Sequence, residues 1–142
     1  VEERVEPHAE RLARGSETIL VAEDEPSVRA LVRNTLERQG YRVLEARDGG
    51  EALVLAQDYP GRIDLLLTDV AMPVMDGREL ATRLRNSFTG MRVIYMSGYV
   101  DDVLRPMEAR VGPFFQKPFT ASALTQLVRE VLDGRQVTPR YS

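Results

Sequence analysis

The sequence contains no cysteine and no tryptophan, and its single histidine is His8. Without cysteine there can be no disulfides, thiolate zinc sites or cysteine nucleophiles, which is typical of a reducing compartment. The 142 residues carry a formal net charge of -3, so the chain lacks the broad basic surface that nucleic-acid binding usually needs. No apolar run approaches the roughly 20 residues of a membrane span. We therefore expect a cytoplasmic chain that contacts neither nucleic acid nor membrane.

The length suits one domain with a charged segment at each end. Residues 1–16 are rich in Glu, Arg and Ala and show little apolar patterning, which favours a linker or extension. A short docked helix over residues 9–14 is the alternative. Residues 17–134 form the predicted domain, which is long enough to bury roughly two thirds of its unfolded surface, and residues 135–142 form a tail.

Five short apolar runs alternate with helical patterns along this domain. The runs ILVA and LLLT lack polar alternation, as expected of strands that helices cover on both faces of a sheet. Strands are predicted at residues 19–22, 42–46, 65–68, 92–96 and 114–116. Helices are predicted from Pro26 to near Gly40, over 51–58, over 78–86, and from a cap at Thr120 to Gly134. The alternation predicts a doubly wound α/β fold with a parallel sheet.

The helix between the fourth and fifth strands has the weakest pattern. Residues 101–111 offer few apolar positions, and Pro106 lies in the middle of them. A proline there lacks an N–H donor and clashes with the preceding turn, so this helix is expected to be short or kinked.

Polar residues that can carry chemistry directly follow four of the strands. They are Glu23 and Asp24, Asp69, Ser97 and Lys117. The carboxyl ends of parallel strands line one edge of a sheet, so these side chains should converge. Carboxylates about 4 to 5 Å apart repel one another unless a cation neutralises them, and an all-oxygen donor set favours Mg²⁺ or Mn²⁺. Helix capping ahead of Pro26 is the alternative role for the first acidic pair.

Asp69 is a candidate nucleophile for phosphoryl transfer. A carboxylate that faces a metal-bound phosphoryl donor can attack in line and form an acyl phosphate. Lys117 can pair with Asp69 at rest and with a phosphoryl oxygen afterwards, while the Ser97 hydroxyl can donate to another. The flexible Gly98 would let a backbone N–H approach. A turn-capping aspartate, a surface lysine and a turn serine are the alternatives.

Four motifs, ILVAEDEP, LLLTDVAMPVMDG, VIYMSGY and FFQKPF, resemble the receiver domain of two-component response regulators over roughly residues 17–133. The resemblance implies a flavodoxin-like (βα)5 fold with strand order 2-1-3-4-5. It also implies that Asp69 receives a phosphoryl group from a phosphohistidine on a histidine kinase or a histidine phosphotransfer domain. Such a domain catalyses its own phosphorylation and dephosphorylation.

The resemblance also implies a ligand set. Asp24 and Asp69 would bind Mg²⁺ directly, Glu23 would help to hold the ion, often through water, and the carbonyl of Ala71 would complete the site. Ser97 and Lys117 would contact the phosphoryl group, with backbone contacts from Ala71 and Gly98. The first acid, Glu23, stands where aspartate is frequent, and Ser97 replaces the commoner threonine.

The family switches by moving the hydroxyl residue toward the phosphoryl group while an aromatic on the fifth strand rotates inward. Ser97 and Phe114 hold these positions, although Phe114 can equally be ordinary core. The motif sequences most resemble those of receivers at the C-terminal end of hybrid sensor histidine kinases. This resemblance implies a parent kinase that can be membrane-attached. A stand-alone receiver, as a monomer or weak homodimer, is the other possibility.

Other functional classes fit less well. A receiver-shaped interaction module that is never phosphorylated stays open as the alternative function. A phosphatase of the haloacid dehalogenase type needs a second aspartate two residues after the first, and Ala71 stands there. The acidic loop AEDEP lacks the glycines and hydroxyls that a flavin phosphate needs, and His8 lacks the helical bundle of a phosphotransfer histidine.

Overall fold

The computed structural model describes residues 15–98, 113–117 and 119–134. The strands are β1 (Thr18–Ala22), β2 (Arg42–Ala46), β3 (Leu65–Asp69), β4 (Arg92–Ser97) and β5 (Phe114–Gln116). The helices are α1 (Pro26–Arg38), α2 (Gly49–Asp58), α3 (Gly77–Arg85) and α4 (Ala121–Leu132). All five predicted strands are present, and none of their bounds differs from the prediction by more than one residue.

The strands form one parallel sheet in the order β2-β1-β3-β4-β5. This order confirms the fold that the resemblance implied. Every residue of β1 and of β3 is buried, because these strands lie inside the sheet and helices cover both of its faces. Continuous apolar sequence in a parallel strand is the consequence of that double coverage.

Alternate residues of each strand point to opposite faces and so build two apolar layers. On one face, Leu20 and Leu66 belong to a layer that includes Leu80 of α3 and Ala52 of α2. On the other face, Val21, Leu67 and Ile94 belong to a layer with residues of α1 and α4, including Leu36, Leu127 and Val128. Burying each of these larger aliphatic side chains contributes about 1.5–3 kcal/mol before the entropy of ordering is counted.

Side-chain caps set where three of the helices begin. The carboxylates of Asp48 and Asp76 accept the N–H groups of Glu51 and Glu79, and the hydroxyl of Thr120 caps α4 in the same way. Helix α2 therefore begins at Gly49, two residues before the predicted start, and α3 begins at Gly77, one residue before its predicted start. The predicted starts are too late because they leave out the aspartate caps.

Several predictions concern residues outside the described ranges. They include the alternative helix at 9–14, the role of His8, the helix expected around Pro106, and the C-terminal tail at 135–142. Within the described ranges, none of the helices is both long enough and apolar enough to cross a membrane.

Arg129 of α4 joins the last helix to the residue that precedes β1. Its guanidinium donates to both carboxylate oxygens of Glu17, at 3.1 and 2.7 Å, and also to Asp133 at 2.8 Å. The hydrogen bond from Arg129 lowers the pKa of Glu17 despite the opposing effect of burial. This bidentate pair connects parts of the chain that are far apart in sequence.

We expect Glu17→Gln to lower the free energy of unfolding by about 1 kcal/mol at neutral pH, because a partly exposed bidentate pair is lost. Because the pKa of Glu17 is lowered in the folded state, the ion pair contributes its full stabilisation at pH values above the ordinary pKa of 4.5. It is lost as the pH falls through the lowered value. Urea unfolding of both proteins at several pH values should show the difference closing in acid. A difference that stays constant with pH would contradict this assignment.

Candidate functional site

Backbone hydrogen bonds extend three of the strand pairs by one residue beyond the strand ends. The N–H of Glu23 donates to the carbonyl of Ala46 at 3.0 Å, and the N–H of Val70 donates to Met96 at 2.9 Å. The N–H of Lys117 donates to the carbonyl of Ser97 at 2.8 Å. The residues after β1, β3 and β5 are therefore fixed at one edge.

Three carboxylates meet at this edge. Glu23, Asp24 and Asp69 each place one oxygen so that the three atoms lie within 4.8 Å of one another. Glu23 is completely buried and Asp69 is 5% exposed, whereas Asp24 is exposed. The structure thus brings together the three acids that the sequence singled out.

Lys117 lies between two of these acids. Its ammonium is 2.8 Å from Oε1 of Glu23 and 2.8 Å from Oδ1 of Asp69, and its side chain is 21% exposed. The other oxygen of Glu23, Oε2, accepts the N–H of Glu25 at 3.0 Å. Glu23 is therefore anchored directly to Lys117 and to its own loop, a contact that the sequence did not indicate.

Burial and the neighbouring charges act differently on the pKa values of Asp69 and Lys117. Loss of solvent raises the pKa of Asp69, the neighbouring carboxyl of Glu23 raises it further, and Lys117 only partly opposes both. For Lys117, burial alone would lower the pKa, but hydrogen bonds to Asp69 and Glu23 outweigh it and the pKa is raised. The site favours an additional positive charge next to Asp69.

The donor set fits a hard divalent cation. With all three acids ionised, as metal ligands must be, the three carboxylates and one ammonium carry a net charge of −2. Oε1 of Glu23 is buried, and among the described residues its close partner is the ammonium of Lys117 at 2.8 Å. Buried oxygen atoms with available lone pairs are the ligands that Mg²⁺ or Mn²⁺ prefers, and the described residues supply them without nitrogen or sulfur.

The remaining predicted site residues lie on or directly after β3, β4 and β5. The Ser97 side chain is buried at the end of β4, and its hydroxyl donates to the carbonyl of Gly98 at 3.2 Å. Ala71 is exposed two residues after Asp69. Phe114 is 2% exposed and lies in the same apolar layer as Tyr95. Its ring is inside the core, a position compatible with both roles that the sequence left open.

Helix capping does not account for the acids. The N-cap of α1 is Glu25, which makes no side-chain capping bond, and the N-cap of α3 is Asp76. Neither Glu23 nor Asp24 is the N-cap residue of α1, and Asp69 is not the N-cap residue of α3.

Residues 19–129 match the response regulator receiver domain. The chain belongs to this family. The receiver domain is 38% identical over 122 residues to the sensor kinase CckA of Brucella abortus, covering 84% of this chain but only 13% of that protein. It is 30% identical to sporulation initiation phosphotransferase F of Bacillus subtilis, covering 82% of this chain and 94% of that one.

Solved structures give the same result. The receiver domain from the hybrid histidine kinase CckA matches with a TM-score of 0.69 and 35% identity, covering 81% of this chain and 98% of that one. Receiver domains as a family interact with histidine kinases or phosphotransfer domains and generally bind Mg²⁺. The chain is thus similar both to receivers within long kinases and to proteins of about its own length.

The connection from β3 to α3 in this receiver domain is tightly folded. The N–H of Met75 donates to the carbonyl of Pro73 at 2.7 Å, and Val74 between them has φ 71°. This is a γ-turn with a β-branched residue at its strained central position. The Val74 side chain is fully exposed, so the strain is not offset by packing of that side chain.

Gly77 closes this connection against the backbone of Asp69. Its N–H donates to the carbonyl of Val70 at 2.8 Å, and a Cβ placed on Gly77 would collide with the carbonyl oxygen of Asp69. The closeness of Gly77 to Asp69 depends on how α3 folds back onto β3, which no local pattern reveals.

We expect Gly77→Ala to lower the free energy of unfolding by about 1–3 kcal/mol, because backbone atoms must move to accept the methyl group. The NMR amide signals of Val70 and of Asp69 itself should shift as the strand end is displaced. Gly50→Ala is the matched control, since its Cβ would meet only Asp48 Oδ1 at an ordinary 3.5 Å in the first turn of α2. Equal stability of the two variants would show that the close approach is unimportant.

Proposed function

We propose that this receiver domain is a phosphoacceptor in a phosphorelay, with Asp69 as the residue that is phosphorylated. The observation that carries the proposal is the position of Asp69 Oδ1, 2.8 Å from the ammonium of Lys117 and within the carboxylate cluster. A buried carboxylate with a paired cation and room for a second positive charge suits attack on an anionic phosphoryl donor.

The transfer itself requires little from the protein beyond positioning and charge. An oxygen of Asp69 attacks the phosphorus of a phosphohistidine in line with the P–N bond. The new P–O bond forms as the P–N bond breaks, and the imidazole nitrogen leaves with the electron pair and takes a proton. Lys117 then holds a phosphoryl oxygen in place of its contact with Asp69, and the Ser97 hydroxyl is the second expected donor.

Glu23, Asp24 and Asp69 are the side chains that would hold Mg²⁺, with the carbonyl of Ala71 as the further ligand that the family resemblance implies. When bound, the ion neutralises charge that develops on the phosphoryl oxygens. Mn²⁺ has the same ligand preferences and is the expected substitute.

The partner that we propose is a histidine kinase or a histidine phosphotransfer domain. The similarity to the sensor kinase CckA and to the receiver domain of a hybrid histidine kinase supports a receiver that works within a hybrid kinase. A stand-alone receiver is the second candidate, supported by the similarity to sporulation initiation phosphotransferase F over 94% of that protein. In either case, phosphorylation would alter protein contacts through Ser97 and Phe114.

The first test is phosphorylation by acetyl phosphate in the presence of Mg²⁺. We expect the wild-type chain to gain the mass of one phosphoryl group and Asp69→Asn to gain none, because the amide is not a nucleophile. A chelator added before the donor should reduce labelling of the wild-type chain to background. Intact-protein mass spectrometry measures each result.

Asp76→Asn is the matched control for this test. It removes a carboxylate from the same connection, while asparagine still caps α3 about as well as aspartate does. It should be labelled like the wild type. Labelling of Asp69→Asn to the wild-type level would overturn the proposal. A folded wild-type chain that is never labelled would favour the non-phosphorylated interaction module.

The second test separates the role of Lys117 from metal binding. We expect Lys117→Gln to slow phosphorylation by about 10²-fold, because a donor that stabilises the phosphoryl oxygens is lost. Its Mg²⁺ affinity should be unchanged or higher, because a competing cation beside Glu23 and Asp69 is gone. Phosphorylation kinetics and calorimetric Mg²⁺ titration measure the two effects. A variant that loses Mg²⁺ affinity but reacts normally once saturated with the ion would contradict the assigned role.

A further inference from the structure

We propose that Arg29 is a positioning residue that holds the acidic loop between β1 and α1 in the shape that a divalent cation requires. This inference rests on the proposed function, because it concerns the same cation site. The observation behind it is one hydrogen bond: Nη1 of Arg29 donates to the backbone carbonyl of Glu23 at 2.8 Å. The Arg29 side chain is 16% exposed.

Arg29 is itself held by a carboxylate on the neighbouring strand. Its Nε lies 3.5 Å from Oε1 of Glu45. Glu45 belongs to β2 and is in register with Val21 of β1. The guanidinium therefore spans from α1 to the loop and to β2, so the position of the loop is tied to two elements of secondary structure.

The backbone N–H and the backbone carbonyl of Glu23 are each held by a different partner. Its N–H donates to the carbonyl of Ala46 at the end of β2, and its carbonyl accepts from Arg29. The carbonyl oxygen belongs to the peptide plane that joins Glu23 to Asp24. The torsion ψ of Glu23 sets both the direction of this carbonyl and the path of the chain into Asp24. By holding the carbonyl, the hydrogen bond from Arg29 therefore resists changes in the placement of Asp24 relative to Glu23.

Besides Arg29, α1 contacts the loop at Glu25, whose Oε2 accepts the hydroxyl of Ser27 at 3.3 Å. Only Glu23, Asp24 and Glu25 separate the strand from the helix. The N-cap residue Glu25 makes no side-chain capping bond, and the N–H of Glu25 instead donates to Oε2 of Glu23. The loop thus depends on contacts made by Glu23, and the contact to its carbonyl comes from Arg29.

The charge of Arg29 acts in the opposite direction to its hydrogen bond. A guanidinium near the carboxylates repels a bound cation, so removing it should tighten Mg²⁺ binding if only the electrostatic field matters. If the guanidinium positions the ligands, removing it should weaken binding. The two roles predict changes of opposite sign, so they can be distinguished in one titration.

Arg33 provides a matched control one turn further along α1. Its Nη1 lies 2.8 Å from Oε2 of Glu45, and Nη2 donates to Asn34 at 3.3 Å. In the part of the chain that the structure describes, these hydrogen bonds lead away from the acidic loop. Arg33→Gln therefore removes the same charge and a contact to the same glutamate, without touching the Glu23 carbonyl.

The test is calorimetric Mg²⁺ titration of the full chain and of the Arg29→Gln and Arg33→Gln variants. We expect Arg29→Gln to weaken Mg²⁺ binding about tenfold, the lower range for loss of a group that orients metal ligands. Arg33→Gln should bind as well as the wild type or slightly better. Arg29→Met, which keeps the apolar stem of the side chain, serves as a second variant if Arg29→Gln does not fold.

A second measurement needs no metal. Hydrogen exchange of the Glu25 amide, followed by NMR, should become faster in Arg29→Gln than in the wild type, because the loop no longer keeps Glu23 Oε2 in place. The same amide should exchange at the wild-type rate in Arg33→Gln.

The outcomes separate this inference from the proposed function. Unchanged or tighter Mg²⁺ binding by the folded Arg29 variants would overturn the positioning role while leaving the phosphoacceptor proposal intact. A wild-type chain that does not bind Mg²⁺ would overturn the proposed function. In that case, faster exchange at Glu25 in the Arg29 variants alone would still support control of the loop by Arg29, and unchanged exchange would refute it.

Discussion

Two buried carboxylates at one edge of the sheet impose the main electrostatic constraint on this domain. Taking a carboxylate out of water costs several kcal/mol, and Glu23 and Asp69 are both almost completely buried. Lys117 compensates part of that cost by lying 2.8 Å from each. Strand β5 has only three residues, but its pairing with β4 delivers the ammonium to the place where it is needed.

Burial of the two apolar layers offsets the free-energy cost of these buried charges. Strands β1 and β3 carry the acids at their ends and are buried along their whole length. Side chains from α1 and α4 pack on one face, and side chains from α2 and α3 pack on the other. Densely packed layers resist relaxation, so the strand ends stay where the chemistry of the site requires them despite the repulsion between like charges.

The strands and the site residues could be predicted together from the sequence, because one pattern marks both. An apolar run that stops at a polar residue marks both the end of a buried strand and the start of a loop at the sheet edge. Asp69 after LLLT and Lys117 after FFQ are clear examples. The strand order came from the family resemblance, since hydrophobic patterning cannot distinguish between strands of similar composition.

Contacts that depend on long-range packing could not be predicted. The direct pairing of Glu23 with Lys117 joins residues at opposite ends of the domain. The approach of Gly77 to Asp69 depends on the path of a turn, and the hydrogen bond from Arg29 to the Glu23 carbonyl requires a known helix orientation. The spacing of side chains within one element does not reveal such contacts. From the sequence alone, Arg29 would be interpreted as an ordinary surface arginine.

The exposed side chain of Val74 lies outside the contacts that close its own turn. The γ-turn around it is closed by backbone atoms of Pro73 and Met75, and its own side chain stands clear of the domain. Replacing that side chain changes what an approaching molecule encounters only a few residues from Asp69, while the carboxylate keeps its surroundings. A substitution at Val74 therefore changes the outer surface of this loop without removing the backbone hydrogen bond that closes the turn.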